Sequence, residues 1–506
     1  MAEFFAQTAL LWPLGIPIAA AALCAALWSS PRAQRTASTA GLVLTLVASL
    51  LLLSQVLSDG IQVKQFGAWA APFGISFMAD PFGAAMVVIS SLLALAAGVF
   101  GFADLRQRQV RSGFHPLFQG LMVGVNGAFL TGDIFNLYVW FEVMLITTLG
   151  LITLDRTRAQ LDGAMKYAVL NLFSTILFLM AIGLLYGVTG TLNMADLARV
   201  LPQTEASSAL GVAAMMFLLA FGIKAGFFPL FFWLPASYHT ASIVVSAVFA
   251  GLLTKVGVYA CFRVFTLLFE VEDGGIRTIV ALVAAGTMLF GVLGAAVQWD
   301  VRRILSFHII SQIGYILLGL AIATPLALAG AIFYIIHHII VKANLFFIAG
   351  AIHRATGTYD LRKAGGLMRS SPLLALLFLI PALSLAGIPP MSGFWAKFMV
   401  IDASFRGDAA WLAAVALFVG LLTVFSMSKI WIEAFWKEPP RAVERVRKVP
   451  LAMTAPIAVL CAVTVAIGFN PEPLIAFAGQ AAETMGDRAL FIAAVLQERH
   501  IAGATQ

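Results

Sequence analysis

Long apolar runs recur along the whole chain and are separated by short polar stretches. Such runs extend from Leu11 to Leu27, from Gly83 to Phe102 and from Leu451 to Gly468. A membrane-spanning helix needs roughly 20 apolar residues, and these runs are continuous rather than alternating, which favours helices over barrel strands. The pattern predicts an all-α membrane protein with about 14 transmembrane helices.

The charged residues predict how these helices are oriented. Of 506 residues, 61% are hydrophobic and only 11% are charged, which is unlike a soluble domain. The net charge of +7 does not indicate nucleic-acid binding, because the basic residues cluster beside the apolar runs and no connection is long enough for a separate domain. Arg106, Arg108 and Arg111 follow the third run, and Arg302 and Arg303 follow the ninth. Basic residues after odd-numbered runs predict a multi-pass protein of the bacterial inner membrane with both termini on the outer side.

Two apolar runs are interrupted by glycine and proline close to a lysine. The seventh contains the segment 224–235, and the twelfth contains the segment 387–397. Proline removes a backbone donor and breaks or kinks a membrane helix, and paired interruptions in two halves indicate an inverted repeat with an ion path at its interface. Because five runs separate the two broken helices 7 and 12, equivalent helices would run in opposite directions. Two unrelated proline kinks are the alternative.

The interruptions divide the chain into four predicted parts. Residues 1–114 contain helices 1–3, and residues 115–270 form a first five-helix repeat of helices 4–8. Residues 271–436 form a second, inverted repeat of helices 9–13, and residues 437–506 contain helix 14 and a C-terminal tail. The first run lacks a basic segment before it, so we expect a retained helix rather than a signal peptide.

Ionisable side chains recur inside the apolar runs. A charge at the centre of a spanning helix costs at least ~2.5 kcal/mol, so such residues face the interior and mark ion or proton pathways. The candidates for proton translocation are Glu142, Lys224, Lys255, His338, Lys342 and Lys397. One carboxylate cannot neutralise four lysines, and burial favours the neutral amine, which accepts protons. The set predicts a proton relay, although Glu142 and Lys224 taken alone could be a structural ion pair.

Three further residues are accessory candidates. His338 and Lys342 are four residues apart and share a helix face, whereas His337 points elsewhere. His308, near the start of the tenth helix, suits a hydrogen-bonded polar role as well as titration. Asp133 could be an ion entrance or exit, or an N-cap of the fifth helix. Cys24, Cys261 and Cys461 lie far apart in apolar runs, so we expect neither a metal site nor a cofactor.

Five segments resemble the antiporter-like subunits shared by Mrp-type multisubunit sodium/proton antiporters, respiratory complex I and membrane-bound hydrogenases. They are residues 124–142, 224–235, 311–315, 338–347 and 387–397. The resemblance covers nearly the whole chain. The first segment, with Asn126, Asp133 and Glu142, is most similar to the D subunits of the Mrp group.

The resemblance implies a role for each buried residue. Glu142 and Lys224 would form the switching ion pair of a first half-channel, and Lys255 would be the bridge to the second. His338 and Lys342 would be the central relay, and Lys397 the terminal proton-bearing group. The family fold has 14 helices with two inverted five-helix repeats, and its members act only inside hetero-oligomers in the lipid bilayer.

The sequence supports a transport subunit rather than an enzyme. In the leading hypothesis, the chain translocates H+ within a multisubunit cation/proton antiporter that couples this movement to Na+ efflux. The alternative is a proton-pumping membrane subunit of a complex I-like or hydrogenase-type redox enzyme, because the channel residues cannot separate the two. A scaffold without transport is disfavoured by the buried lysines. Whether Na+ enters this chain or a partner subunit stays open.

Overall fold

The computed structural model describes residues 8–67, 69, 72–205, 207–269, 274–438 and 447–502. Long helices account for most of them. The helices of 15 or more residues in these ranges are α1 (Trp12–Ala26), α2 (Pro31–Asp59), α3 (Pro81–Asp104), α4 (Phe114–Leu130), α5 (Ile134–Ile152), α6 (Arg158–Thr189), α7 (Ser207–Ala225), α8 (Ile243–Leu267), α9 (Gly274–Val297), α10 (Val301–Ile322), α11 (Pro325–Thr356), α12 (Pro372–Ala386), α13 (Ser392–Arg406), α14 (Ala410–Ile430), α15 (Leu451–Phe469), α16 (Glu472–Gly486) and α17 (Arg488–Ala502).

Within the described ranges, twelve helices are long and apolar enough to cross a membrane. This confirms the predicted all-α, multi-span membrane fold. Two other predicted spans correspond to the 17-residue α4 and to α12 and α13, which together form one interrupted segment. The total of 14 spans and the repeat boundaries stay predictions.

Three helices lie at the centre of the molecule. Almost every residue of α8, α10 and α11 is buried, whereas α2, α6 and α14 each expose an apolar face. A helix that is apolar all round is buried in the core of a large protein or surrounded by other helices. The ionisable residues in the middle of these helices, among them Lys255, His338 and Lys342, are therefore shielded from lipid by their neighbours.

A two-stranded hairpin, which the sequence did not reveal, connects α2 to α3. Strand β1 (Gln62–Gln65) pairs antiparallel with strand β2 (Ser76–Ala79). The carbonyl of Ser76 accepts from the amide of Gly132 at 2.9 Å, and its hydroxyl accepts from the side chain of Asn193 at 2.7 Å. The hairpin thereby joins the start of α5 to the segment that follows α6.

The connections that begin α5 and α10 have the same local structure. Asp133 pairs with Asn193, and Asp300 pairs with Asp360, so a shift of 167 residues carries the first pair onto the second. The amide at the start of each helix also donates to the matching segment, at 2.9 Å for Ile134 and 3.0 Å for Val301.

The same shift relates close helix contacts inside the two halves. A side chain added at Gly127 would collide with Trp140, and one added at Gly294 would collide with Phe307. The shift of 167 carries both members of the first contact onto the second. These glycines let α4 pack closely against α5, and α9 against α10, at corresponding positions along the helices.

The helix ends at the two interruptions also share a hydrogen-bond pattern. α7 is followed by Gly226 at φ +77°, and α12 is followed by Gly387 at φ +85°. In each case the next amide donates to the carbonyl five residues back, at 2.8 Å for Phe227 and 3.0 Å for Ile388. This is the glycine-terminated motif that ends helices in the left-handed conformation. Both broken helices expected at 224–235 and 387–397 are thus present.

Candidate functional site

Glu142 and Lys224 are connected through a threonine that sequence reasoning missed. The ammonium group of Lys224 donates to Thr175 Oγ1 at 3.3 Å, and the Thr175 hydroxyl donates to Glu142 Oε1 at 2.7 Å. No salt bridge joins Glu142 to Lys224 directly within the part of the chain that the structure describes. The expected pair therefore has a hydroxyl group between its charges.

Lys224 is almost fully buried, at 5% exposure, and its surroundings contain room for water. Its ammonium lies 4.9 Å from the centre of the Phe141 ring, an arrangement that stabilises a cation. A cavity of about 20 Å³ beside it is lined by Tyr167, Asn171 and Leu253, among others. That volume is enough for a single water molecule.

Lys255 is fully buried in α8, next to a wider helical turn. Residues Phe249–Leu253 form a π-helix, a geometry that is frequent at functional sites. The Lys255 ammonium donates to the carbonyl of Ala250 at 2.5 Å. A Cβ at Gly257 would lie 3.1 Å from the carbonyl carbon of Lys224, so this glycine lets α8 pack directly on the end of α7.

His338 and Lys342 lie one turn apart on α11 and are both fully buried. Neither ring nitrogen of His338, nor the Lys342 ammonium, has a hydrogen-bond partner among the described residues. The same holds for Ser311 Oγ and for Gln312 Nε2 on the facing helix α10. Buried polar atoms without partners are rare in proteins, and internal water commonly satisfies them. The centre of the molecule is a polar interior suited to hydration.

The buried bases follow one another in space from α8 to α13. Lys255 and Lys397 both lie within electrostatic range of Lys342, and Lys255 also lies within range of His338. His308 lies within electrostatic range of Lys342 and Lys397. The structure thus groups Lys255, His338, Lys342 and Lys397 into one file of buried bases, and α8, which carries Lys255, packs on the end of α7 at Lys224.

The other two histidines are hydrogen-bonded to serines. His308 Nε2 lies 2.6 Å from Ser426 Oγ, and His337 Nδ1 lies 2.8 Å from Ser392 Oγ. His337 thus points toward the interruption between α12 and α13, away from the face of His338, as its position in the helix predicted. The serines carry no distinctive sequence signal, and the sequence analysis did not select them.

Lys397 is the last of these buried bases and lies at the second interruption. Its ammonium donates to the carbonyl of Ala386 at 3.0 Å and lies 4.9 Å from the centre of the Tyr315 ring. The carbonyl of Ala386 is freed because α12 ends there. The interruption thereby supplies a hydrogen-bond acceptor to a lysine in an apolar setting.

Asp133 is the N-cap of α5. Its carboxylate accepts from the amide of Asn136 at 2.7 Å, the contact expected of a helix cap. Burial raises the pKa of this carboxyl to about 6, although hydrogen bonds from the backbone oppose the shift. The geometry favours the capping interpretation over an ion entrance.

A buried ion pair outside the predicted set joins α3 to α8. Arg263 and Asp80 are 2.6 Å apart, with side-chain exposures of 3% and 1%. Arg263 also donates to the hydroxyl of Tyr259 at 3.0 Å. Both charged residues lie near helix ends, where the sequence pattern alone does not distinguish a buried charge from an exposed one.

No group of three histidine, cysteine, aspartate or glutamate residues is placed to hold a metal ion in the ranges that the structure covers. The three cysteines are buried and far from one another in the chain. The polar interior is built from amines, imidazoles, hydroxyls and amides, which are groups that make hydrogen bonds.

The fold and this file of buried bases define a membrane protein of the antiporter-like class. The family described as NADH:quinone oxidoreductase/Mrp antiporter, TM, matches residues 131–423. The chain is 48% identical over 465 residues to the D subunit of the Na(+)/H(+) antiporter from Alkalihalophilus pseudofirmus, covering 92% of this chain and 94% of that protein. It is 39% identical to the protein of the same name from Bacillus subtilis, covering 96% and 99%.

A solved structure shows the same architecture. A chain in the Mrp complex from Dietzia sp. DQ12-45-1b superposes with a TM-score of 0.91 at 34% identity, covering 97% of this chain and 99% of that one. The chain belongs to the family of Na(+)/H(+) antiporter D subunits, within the wider family of Mrp antiporter and NADH:quinone oxidoreductase membrane proteins. The family resemblance predicted from the five sequence segments is thus confirmed.

Proposed function

We propose that this chain moves protons through the membrane as one component of a multisubunit cation/proton antiporter, which couples their movement to Na+ efflux. The file from Lys224 through Lys255 and Lys342 to Lys397 carries the proposal. Burying several bases with a single nearby carboxylate is costly, and such residues mark proton relays in membrane proteins. Relatives named as Na(+)/H(+) antiporter subunits favour this function over a redox-driven pump.

The first step would be controlled by the attraction between Glu142 and Lys224. The two hydrogen bonds through Thr175, of 3.3 and 2.7 Å, place the charges no more than about 6 Å apart, and at an effective dielectric of about 20 they attract by about 3 kcal/mol. Losing or gaining this attraction changes the proton affinity of Lys224. A proton arriving at Glu142 would therefore favour release from Lys224 toward Lys255.

The second half would receive the proton at His338 and Lys342 and deliver it to Lys397. The unpaired atoms of α10 and α11 provide hydrogen-bonding sites for water between these groups. The matching contacts at a shift of 167 residues support two related halves, with boundaries at 115–270 and 271–436. Equivalent helices are five spans apart, so the halves would be inverted. The basic residues that follow the odd-numbered spans favour both termini on the outer side.

Other subunits would cover the side of the chain at Glu142. This carboxylate is only partly buried, on a face of α5 where Phe135, Val139 and Ile146 are 44%, 36% and 67% exposed. A carboxylate facing hydrocarbon is costly, so this face suits contact with a partner helix that offers a hydrogen bond or a cation.

The direct test replaces Lys224 or Glu142 by alanine in the assembled complex. Sodium-driven proton exchange in everted membrane vesicles should be abolished in both variants, while all subunits still co-purify. Lys166→Ala is the matched control, because Lys166 is an exposed lysine paired with Asp162 on α6. Full exchange in both variants would contradict the proposal.

A further inference from the structure

We propose that the Thr175 hydroxyl is a proton-relay group in the first half of the chain, at the position that Lys342 occupies in the second half. The inference rests on the proposed proton translocation and names a residue that carries it. Thr175 is hydrogen-bonded to both Glu142 and Lys224, so its hydroxyl lies between these two charged groups.

The direction of the two hydrogen bonds suits a relay. Thr175 Oγ1 accepts from the Lys224 ammonium and simultaneously donates its own proton to the Glu142 carboxylate. A hydroxyl has one donor and two acceptor sites, so it can make both bonds at once. The chain of donors therefore runs without interruption from the amine to the acid.

The behaviour of other helical threonines shows that this geometry is unusual. Thr147, Thr153 and Thr189 each donate to a carbonyl four residues back in their own helix, at 2.8, 2.9 and 2.7 Å. That local bond is the ordinary state of a threonine inside a helix. Thr175 is also helical, yet its hydroxyl donates to a different helix.

The correspondence between the two halves aligns Thr175 with a proposed relay residue of the second half. The shift of 167 residues that relates the two halves carries Thr175 onto Lys342 and Asn171 onto His338. Asn171 borders the cavity beside Lys224, just as His338 accompanies Lys342. The equivalent of Glu142 is Ile309, so the second half has no carboxylate there and its relay position carries a base of its own.

The transfer step conserves protons and charge. The Lys224 ammonium gives one proton to Thr175 Oγ1 as the hydroxyl gives its original proton to the Glu142 carboxylate. The products are a neutral amine, an intact hydroxyl and a neutral carboxylic acid. The hydroxyl then accepts from the carboxylic acid and donates to the neutral amine. The reverse step along these two bonds moves a proton from Glu142 to Lys224.

The test compares Thr175→Val, which keeps the shape, with Thr175→Ser, which keeps the hydroxyl. Sodium-driven proton flux in proteoliposomes containing the whole complex should fall about 100-fold in Thr175→Val, the scale of losing one proton-transfer group. Thr175→Ser should retain roughly half of the flux or more, because serine keeps the hydroxyl that transfers the proton. Thr147→Val is the matched control, since its hydroxyl bonds only to its own helix.

Two readouts separate a relay from a structural role. Infrared difference spectra should show a shifted carbonyl stretch of protonated Glu142 in Thr175→Val and an unchanged one in Thr175→Ser. Wild-type flux in Thr175→Val, or equal loss in the valine and serine variants, would overturn the relay. If Lys224→Ala loses flux while Thr175→Val keeps it, the relay fails and the proposed function stands; if Lys224→Ala keeps flux, the proposed function itself fails.

Discussion

The side chain of Lys397 packs against the backbone of Gly387, at the point where α12 ends. A Cβ on Gly387 would lie 2.7 Å from Lys397 Cδ, closer than such atoms approach. The glycine thus serves two purposes: its positive φ ends the helix, and its missing side chain leaves room for the lysine that binds the freed carbonyl of Ala386. The interruption and the terminal base form one structural unit.

Gly387→Ala should therefore impair transport through Lys397. The added methyl group displaces the lysine from its carbonyl, and we expect at least a tenfold loss of sodium-driven proton flux, equivalent to about 1.4 kcal/mol. Gly357→Ala is the control, because Gly357 has a similar φ of +80° and nothing within 4 Å of the added Cβ. Both variants carry about 1–2 kcal/mol of backbone strain. Equal flux in the two variants would contradict the proposed role of Lys397.

Lys342→Met should separate stability from transport. Lys342 is a buried amine without a partner among the described residues, so an apolar side chain of similar size removes a desolvation cost of about 1–3 kcal/mol. We expect the purified complex to melt at the same or a higher temperature while sodium-driven proton flux is lost. Retained flux would exclude Lys342 from the pathway.

Arg263→Met should have the opposite effect on stability. It leaves the buried carboxylate of Asp80 without its cation, a change that costs about 3–5 kcal/mol in proteins. Thermal unfolding and subunit co-purification measure the loss. A complex as stable as wild type would show that the pair does not hold α3 against α8.

Asp133→Asn tests whether Asp133 is a helix cap or an ion entrance. Asparagine caps helices as well as aspartate, whereas Asp133→Leu should cost about 1 kcal/mol. Burial raises the folded pKa from 3.8 to about 6, so ionisation costs stability as the pH rises from about 4 through 6. Asp133→Asn lacks that loss and should be the more stable protein at pH 7, with an unchanged pH profile of antiport. A shifted antiport profile would favour the ion entrance.

The helices and the buried bases could be predicted from the sequence because the type of each residue along the chain is enough to identify them. A lysine within an apolar run is visible without a structure, as are the glycine and proline residues of the two interruptions. The start of α2 is harder to predict: the helix begins at Pro31, capped by Ser30, well before the apolar run from Leu42 to Leu57. Arg32 and Arg35 are polar residues in its first turns, so hydropathy alone places the boundary too late.

Contacts between distant segments could not be predicted in the same way. Thr175 is an ordinary helical residue in the sequence, and only the packing of α5, α6 and α7 places its hydroxyl between two charges. The hairpin of β1 and β2 is equally inconspicuous, because each strand has only four residues. The helices α16 and α17 occupy a stretch that was expected only to be a tail.

A continuous proton path through this chain depends most directly on Lys255, the base proposed to bridge the two halves. The decisive measurement is sodium-driven proton flux, followed with a pH-sensitive dye, in proteoliposomes that contain the complete complex with Lys255→Met. We predict that flux is abolished while every subunit is retained, and that Lys166→Met behaves as wild type. Undiminished flux in Lys255→Met would contradict a continuous proton path through this chain.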